Sequence, residues 1–451
     1  MKIYRPSILL ASLVCALAWG PAQAAVSNEE AAKLKSELTP LGAERAGNKD
    51  GSIPAWTGAP IPYANYKSGA KRPDPFAADK PLYTVTAKNM EQYADKLTDG
   101  TKALLKKFPD TYKLEVYPTR RTAAAPQWVY DNTFKNATTA KIEADKPVGA
   151  FGGIPFPIPQ SGAEVMSNHL LRWRGGAIKT GVRAYQTTAA GQRVLIGESV
   201  TDEQMPYYFQ GSPAEFEKQN DYWTLRILTS GPPLRAGEAI AGRENVDGDK
   251  TQVWVYLPGQ RRVRKLPNAC CDTPSPPTAG LMNFDETFVF IGRLDRTDFK
   301  ILGKKEILIP YNTNAVQTAA SDDEVLGKNH MNPEKLRWEL HRVWLVEAAV
   351  RAGQRHVTPK SLYYVDEDSW YAVLADRWDA KGQLWKTIFQ LPFAAPDMPG
   401  VASNTFGYYD LLSGSWFVQG LMTEAPIQYQ LVPRYKDSTF TPDALAGEGV
   451  R

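Results

Sequence analysis

Four histidines, a pair of adjacent cysteines and three acidic clusters hold most of the reactive chemistry available to this chain, and their spacing excludes much of it. His169, His330, His341 and His356 never stand at metal-ligand spacing from a cysteine or a second histidine, and there is no H-E-x-x-H, so no metal or other cofactor is expected. His341 reads as part of the polar face of a strand and His356 as part of a hairpin, so both are expected to be surface or internally satisfied groups. No G-x-S-x-G elbow is present, because Ser413-Gly414-Ser415-Trp416 has the wrong second glycine. A phosphate loop and a dinucleotide fingerprint are both missing. Asn245, Asp247 and Asp249 alternate as calcium ligands do, but Gly248 falls at the fourth place and no glutamate follows at the twelfth; an Asp-Gly hairpin turn explains them better. Asp285-Glu286 and Asp366-Glu367-Asp368 have the composition of an acid/base pair, yet nothing beside them marks a cleft, so solvated turns are expected.

After the cleavage discussed below, only Cys270 and Cys271 remain. Adjacent Cα atoms lie about 3.8 Å apart, below the usual disulfide range of roughly 4.4–6.8 Å, so two thiols in a loop are expected. A strained vicinal bridge, a candidate redox pair, is the alternative. The densest basic run, Arg261, Arg262, Arg264 and Lys265, follows an aromatic strand. It reads as a solvated strand end that discourages edge pairing, or as a patch for an anionic headgroup or partner. Trp128, Trp254, Tyr256, Trp344, Trp370 and Trp385 sit on expected strands. They are assigned either to core packing or to the wall of a hydrophobic-ligand cavity. Ile154-Pro155-Phe156-Pro157 reads as a stiff lid or docking loop.

The elements that must position these groups are mostly strands. Ser27-Asn28-Glu29-Glu30 is a capping box before a short helix reaching about Leu38. Residues 47–58 form an extended arm that docks Ile53 and Trp56. Thr86 caps a second helical region that Gly100 interrupts and Pro109 ends. From Gln127 onward the hydrophobic period becomes two, and strands are expected at 127–130, 182–185, 193–196, 222–228, 252–257, 300–309, 338–349, 361–365, 370–376, 384–391 and 405–418. Their links, such as Leu257-Pro258-Gly259-Gln260-Arg261 and Asp379-Ala380-Lys381-Gly382, are too short for crossover helices, which makes the sheet antiparallel. Within 338–349 the face carrying Arg337, Glu339, His341 and Glu347 is expected to be solvated. The division is a leader at 1–24, an arm with helices at 25–120, a curved β-sheet domain at 121–430 and a loosely packed tail at 431–451.

The leader follows from Lys2 and Arg5, the apolar run Ile8 to Trp19, and the small-x-small site Ala22-Gln23-Ala24, with cleavage between Ala24 and Ala25. Val14 before Cys15 argues against a lipid-anchored signal. The mature protein is thus expected to be soluble and exported. The formal charge of +4 includes Lys2 and Arg5, leaving too little to support a nucleic-acid partner. The 12 Trp, 21 Tyr and 34 Pro suit strands and stiff loops better than a helical bundle.

Gly152-Gly153-Ile154-Pro155-Phe156-Pro157-Ile158-Pro159, Gly162-Ala163-Glu164 and Asn168-His169-Leu170 resemble an exported Gram-negative family, the domain of unknown function numbered thirteen twenty-nine, often labelled outer-membrane lipoprotein-sorting-like. Asp50 to Gly58, Val253 to Pro258 with Arg261 to Arg264, Leu302 to Glu306 with Pro310-Tyr311-Asn312, Arg337 to Trp344 and Tyr364 to Trp370 extend the resemblance over nearly all of the mature chain. It implies a mainly β fold with minor α: a large curved antiparallel sheet forming an incomplete barrel, as in lipoprotein carriers and receptors, with helices and loops over an apolar concave face. It further implies proximity to a resistance-nodulation-division-type transporter and an outer-membrane protein. No catalytic residues come with it. The expectation is therefore a non-enzymatic carrier of a lipid or other apolar small molecule, soluble or peripheral at the outer membrane. An assembly subunit that carries nothing is the main rival, and an envelope hydrolase ranks last.

Overall fold

The computed structural model describes residues 25–61, 66–211 and 213–448, so the expected leader and Ala24 lie outside the described residues. Ser27 caps α1 (Asn28–Ala32) reciprocally with Glu30, as the capping box requires. α2 (Asp99–Lys107) is capped by Thr98, whose hydroxyl accepts from the Thr101 N–H. Gly100 does not interrupt a helix; it lies in the first turn of α2, where a Cβ would come within 2.4 Å of Asp376 and Thr387 atoms. That close approach, with the Gly100 N–H donating to Asp376 at 3.0 Å, is why glycine stands there.

α3 (Gln127–Thr139) replaces the strand expected at 127–130. Pro126 pre-sets its entry, and Val129, Thr133, Asn136 and Ala137 bury one helical face, so helical spacing prevails over the aromatic β-propensity of Trp128 and Tyr130. α4 (Gly162–Leu170) is capped by Ser161. Short helices α5 (Pro213–Glu217), α6 (Asn314–Thr318) and α7 (Asp322–Val325) fill connections. α8 (Pro442–Glu448) ends the described chain. The tail expected to be loose is docked: Phe440 and Leu445 are fully buried, and α8 packs on the outer face of the sheet.

The strands are β1 (Tyr83–Val85), β2 (Leu114–Val116), a separate hairpin of β3 (Lys141–Glu143) and β4 (Lys146–Val148), then β5 (Ala177–Thr187), β6 (Arg193–Gln204), β7 (Asp221–Gly231), β8 (Ala239–Asn245), β9 (Gln252–Leu257) and β10 (Arg262–Lys265). After a long connection come β11 (Thr297–Pro310), β12 (Trp338–Val350), β13 (Lys360–Asp366), β14 (Ala372–Trp378), β15 (Leu384–Ala394), β16 (Val401–Asp410), β17 (Trp416–Leu421) and β18 (Gln430–Leu431). They form one sheet in the order β11-β12-β13-β14-β15-β16-β17-β5-β6-β7-β8-β9-β10, with β18 beside β5 and β1-β2 attached at the start of β12. All pairings are antiparallel except the Trp338/Val116 bridge. The fold is mainly β, and the sheet is not closed into a barrel.

The curl of this sheet follows from its contacts. β7 and β11 are nine neighbour steps apart in the order, about 43 Å along a flat sheet. Yet Phe288 meets Trp223 of β7 at 5.8 Å between rings, and Phe290, two residues on, meets Phe299 of β11 at 5.7 Å. Only a strongly bent sheet brings both strands to one short segment. Register shifts at Ala184/Tyr185, Glu198/Ser199, Ile301/Gly303 and Leu391/Pro392 supply local bends. The open edges β10 and β11 carry Arg262, Arg264 and Lys265 and Lys300, Lys304 and Lys305, charges that oppose edge-to-edge pairing.

Candidate ligand cavity

Register places Thr201 and Glu203 of β6, Trp223, Leu225 and Ile227 of β7, and Ile240, Gly242 and Glu244 of β8 on one inner face, because directly paired residues share a face. Val253 of β9, paired with Gly242, continues it. The chain then leaves β10 and crosses the hollow before entering β11, and this crossing segment roofs the face with Phe284, Phe288 and Ile291. Between wall and roof lies a narrow, mainly apolar slot with a cavity volume of about 80 Å³. Gly242 makes room for the Leu225 side chain, whose end would lie 2.8 Å from a Cβ placed there.

The crossing segment is held by backbone carbonyls. His169 Nε2–H donates to the Phe288 and Phe290 oxygens at 3.1 and 3.0 Å, while its Nδ1 accepts from the Ala372 N–H at 2.9 Å. Burial, with the Arg172 charge, keeps this imidazole neutral by pushing its pKa well below the usual value. Arg377 donates to the Asp285 and Val289 oxygens and pairs with the Asp285 carboxylate at 3.2 Å. Burial pushes Asp285 upward, but Arg377 and His356 outweigh it and hold the carboxyl below its ordinary range. Lys386 pairs with the fully buried Glu286 at 2.9 Å. These ties hold Phe288 and Val289 at φ of 50° and 73°, a left-handed conformation that bulky residues adopt only when their surroundings force it. Asp285-Glu286 is therefore a buried anchor, not the solvated turn expected.

Two carboxyls face the slot. Glu203 accepts from the Trp223 indole N–H at 2.8 Å, and burial raises its pKa. Glu244 accepts only a long 3.4 Å bond from Thr251, and burial pushes it up to about 7. A carboxyl raised in the folded state favours the fold while protonated; that advantage declines as pH climbs from about 4.5 through 7. Glu244→Gln should therefore leave stability unchanged at pH 4 and raise it by about 3 kcal/mol at pH 8, measured by urea denaturation at both pH values.

A second polar cluster lies under the N-terminal arm. His341 is fully buried, with Nε2 3.1 Å from Glu339 and Nδ1 3.2 Å from Asp366. Burial alone would lower its pKa, but hydrogen bonds to Asp366 and Glu339 push it up to about 10, so the ring is an imidazolium at neutral pH. Asp368 is forked by Arg121 at 2.6 and 2.9 Å, and Glu367 pairs with Lys304 and Arg342. The same cations seize the arm: Arg121 donates to the Glu44 carbonyl at 2.7 Å, and Arg342 to that of Ala46 at 2.8 Å. The polar face of β12 and the turn at 366–368 were expected in solvent; the arm covers them. His341, Asp366 and Asp368 stand close enough to hold a metal, but Arg121, Glu339 and Ser369 already engage them, so this set does not fit an ion.

None of the six aromatics assigned to a cavity wall lines the slot. Trp254 and Tyr256 point to the outer face, packing near Leu445 of α8, because Val253 and Val255 take the inward positions. Trp128 stacks edge-on against Trp173 from α3. Trp344 lies under the Lys304 ammonium, and Trp370 is fully buried with its N–H on the Leu41 carbonyl at 2.8 Å. Trp385 donates to Asp410 at 3.1 Å. The inward aromatics are Trp223, Phe284, Phe288 and Phe406; sequence reasoning missed all four, although the alternation of Trp223, Leu225 and Ile227 along β7 was a usable signal, while nothing local marked the roofing pair. Ile154, Pro155, Phe156 and Pro157 are buried, with Phe156 bracketed by Asn168 at 2.8 and 2.7 Å, so this loop is core and offers no docking surface. Arg261, Arg262, Arg264 and Lys265 are exposed at the β10 edge. Cys270 and Cys271 are joined as a vicinal disulfide at the start of the crossing segment, where two free thiols were expected.

Comparison with known proteins bears on the whole chain. The uncharacterized protein PA3922 of Pseudomonas aeruginosa is 38% identical over 445 residues, covering 95% of each chain. Among solved structures, a DUF1329 family protein from Desulfovibrio piger aligns with a TM-score of 0.41 at 14% identity, over 60% of this chain and 92% of that one. A putative outer membrane lipoprotein-sorting protein domain from Vibrio parahaemolyticus aligns at 0.43 and 13% identity, over 63% and 97%. A family model described as "Protein of unknown function (DUF1329)" matches residues 84–446, and the chain belongs to that family.

Proposed function

We propose that this protein is a periplasmic, non-catalytic carrier that shelters the apolar part of a lipid-like molecule in the slot between β6–β9 and the crossing segment. The observation that carries this reading is the slot itself, apolar along Leu225, Ile227, Ile240 and Val253. Burial of an acyl chain there gains about 0.8 kcal/mol per CH₂ removed from water. The leader-like residues 1–24 support export, and no helix among the described residues is long and apolar enough to cross a membrane. The exposed Arg261, Arg262, Arg264 and Lys265 suit contact with an anionic membrane surface or partner, and a lipid-exporting transporter with its outer-membrane protein is the partnership this reading implies.

One observation favours a second reading, a scaffold that carries nothing: the crossing segment already fills much of the inner face. Native mass spectrometry of protein taken gently from the periplasm separates the two. The carrier reading expects lipid-sized adducts, and a fluorescent fatty-acyl probe should bind at least ten times more weakly to Gly242→Leu, whose side chain enters the slot. A clean apo mass with no uptake by the wild-type protein would leave the scaffold.

A further inference from the structure

The slot has two chemically different ends. Toward the β7–β8 turn its walls are Ile227 and Ile240, and Leu225 and Ile227 remain partly exposed. Toward the other end of the same strands stand Glu203, Trp223 and Glu244, all buried. The closed end is thus the polar one. Glu203 and Glu244 flank β7 from opposite sides, so their backbones lie two strand spacings, roughly 10 Å, apart.

The polar atoms at that end are acceptors. Glu244 meets no lysine or arginine among the described residues, and only the distant Thr251 hydroxyl reaches it. Glu203 has the Trp223 N–H, and the Arg174 guanidinium lies over that indole at 4.7 Å and over the Phe288 ring at 5.8 Å, its charge acting against the burial that raises Glu203. The side-chain oxygen of Gln419, across the slot, is buried without a partner. Buried acceptors without donors are costly, and each is relieved by a donor brought from outside. An anion at the same place would meet two carboxyls in a low-dielectric pocket, a repulsion that the Arg174 charge offsets only beside Glu203 and leaves unopposed at Glu244.

We propose, resting on the carrier reading, that the slot takes an amphipathic molecule head first, and that its head is a hydrogen-bond donor without negative charge, an amine or a hydroxyl, received by Glu244 and Glu203. The chain then lies along Leu225, Ile227 and Ile240 toward the mouth, under Phe284. Glu244 selects the head by supplying an acceptor whose proton state adapts to it: carboxylate opposite an ammonium, carboxylic acid or carboxylate opposite a hydroxyl. The burial that raises Glu244 to about 7 keeps both forms accessible at neutral pH.

Dodecylamine, dodecanol and dodecanoate test this with one chain length and three heads. Binding to the mature protein at pH 7, below micellar concentrations, is read by calorimetry and by the quenching of Trp223 fluorescence against a Trp223→Phe control. The amine and the alcohol are expected to bind at least ten times more tightly than the carboxylate. In Glu244→Gln, an isosteric change, the amine should weaken about tenfold and the alcohol little; Glu203→Gln provides a second variant. Equal or tighter binding of dodecanoate, or an amine preference untouched in both variants, overturns the head-group assignment while leaving a carrier. Failure of all three to bind overturns the carrier reading itself.

Discussion

Replacing His341 with glutamine is expected to cost the fold about 3–5 kcal/mol, because it removes the one cation between two buried carboxylates. Glu339 keeps Arg337 and Asp366 keeps Ser369, but the space between them would hold two like charges without the imidazolium. The pH dependence carries the same signature. A histidine whose folded pKa is raised contributes stability that is complete below its ordinary value of about 6.5 and disappears as pH rises through about 10. The wild-type protein should therefore lose stability between pH 7 and 10, and His341→Gln should show a flatter profile over that interval. Urea midpoints at pH 6, 8 and 10 check both statements. Since Arg121 and Arg342 of the same cluster also hold the arm at Glu44 and Ala46, amide exchange at 41–56 should quicken in the variant.

The second large effect belongs to Arg377→Leu. Its guanidinium is buried and ties the crossing segment at the Asp285 carboxylate and at the Asp285 and Val289 carbonyls. Leucine leaves Asp285 with His356 alone and orphans two carbonyls, a cost of about 3–5 kcal/mol. Because the segment is already forced into left-handed backbone at Phe288 and Val289, release should be local before it is global. Hydrogen exchange should therefore rise first at 285–291 and only later in β13–β15. Under the carrier reading the same variant should take up acyl probe faster than wild type, since Phe284 and Phe288 roof the slot. A uniform loss of protection across the sheet, with no local phase, would count against a separately tethered roof.

Much of the sheet was legible because its strands alternate. Trp344, Val346 and Ala348 face one core along β12, and short hairpin links made the neighbours antiparallel, as found. The Ser27/Glu30 capping box also read correctly, since both partners lie within four residues. Trp128 misled because aromatic content was weighed over the i, i+4, i+7 spacing that buries Val129, Thr133 and Asn136. A usable signal was overlooked at β12: Arg337, Glu339, His341 and Arg342, together with Asp366-Glu367-Asp368, bring both signs of charge close in the sheet, which suits a buried network as well as a wet face.

By itself, the sequence determined most of the strand pattern, the antiparallel sheet and the family, because periodicity, turn chemistry and motifs are local properties. Only the tertiary structure decided which aromatics face inward, that the 285–286 and 366–368 acids are buried, and that residues 266–296 roof the hollow. Each depends on where the chain returns after tens or hundreds of residues: Arg121 reaches Asp368, and His169 reaches Phe288. A charged side chain is wet or buried according to what folds over it, and no local pattern encodes that.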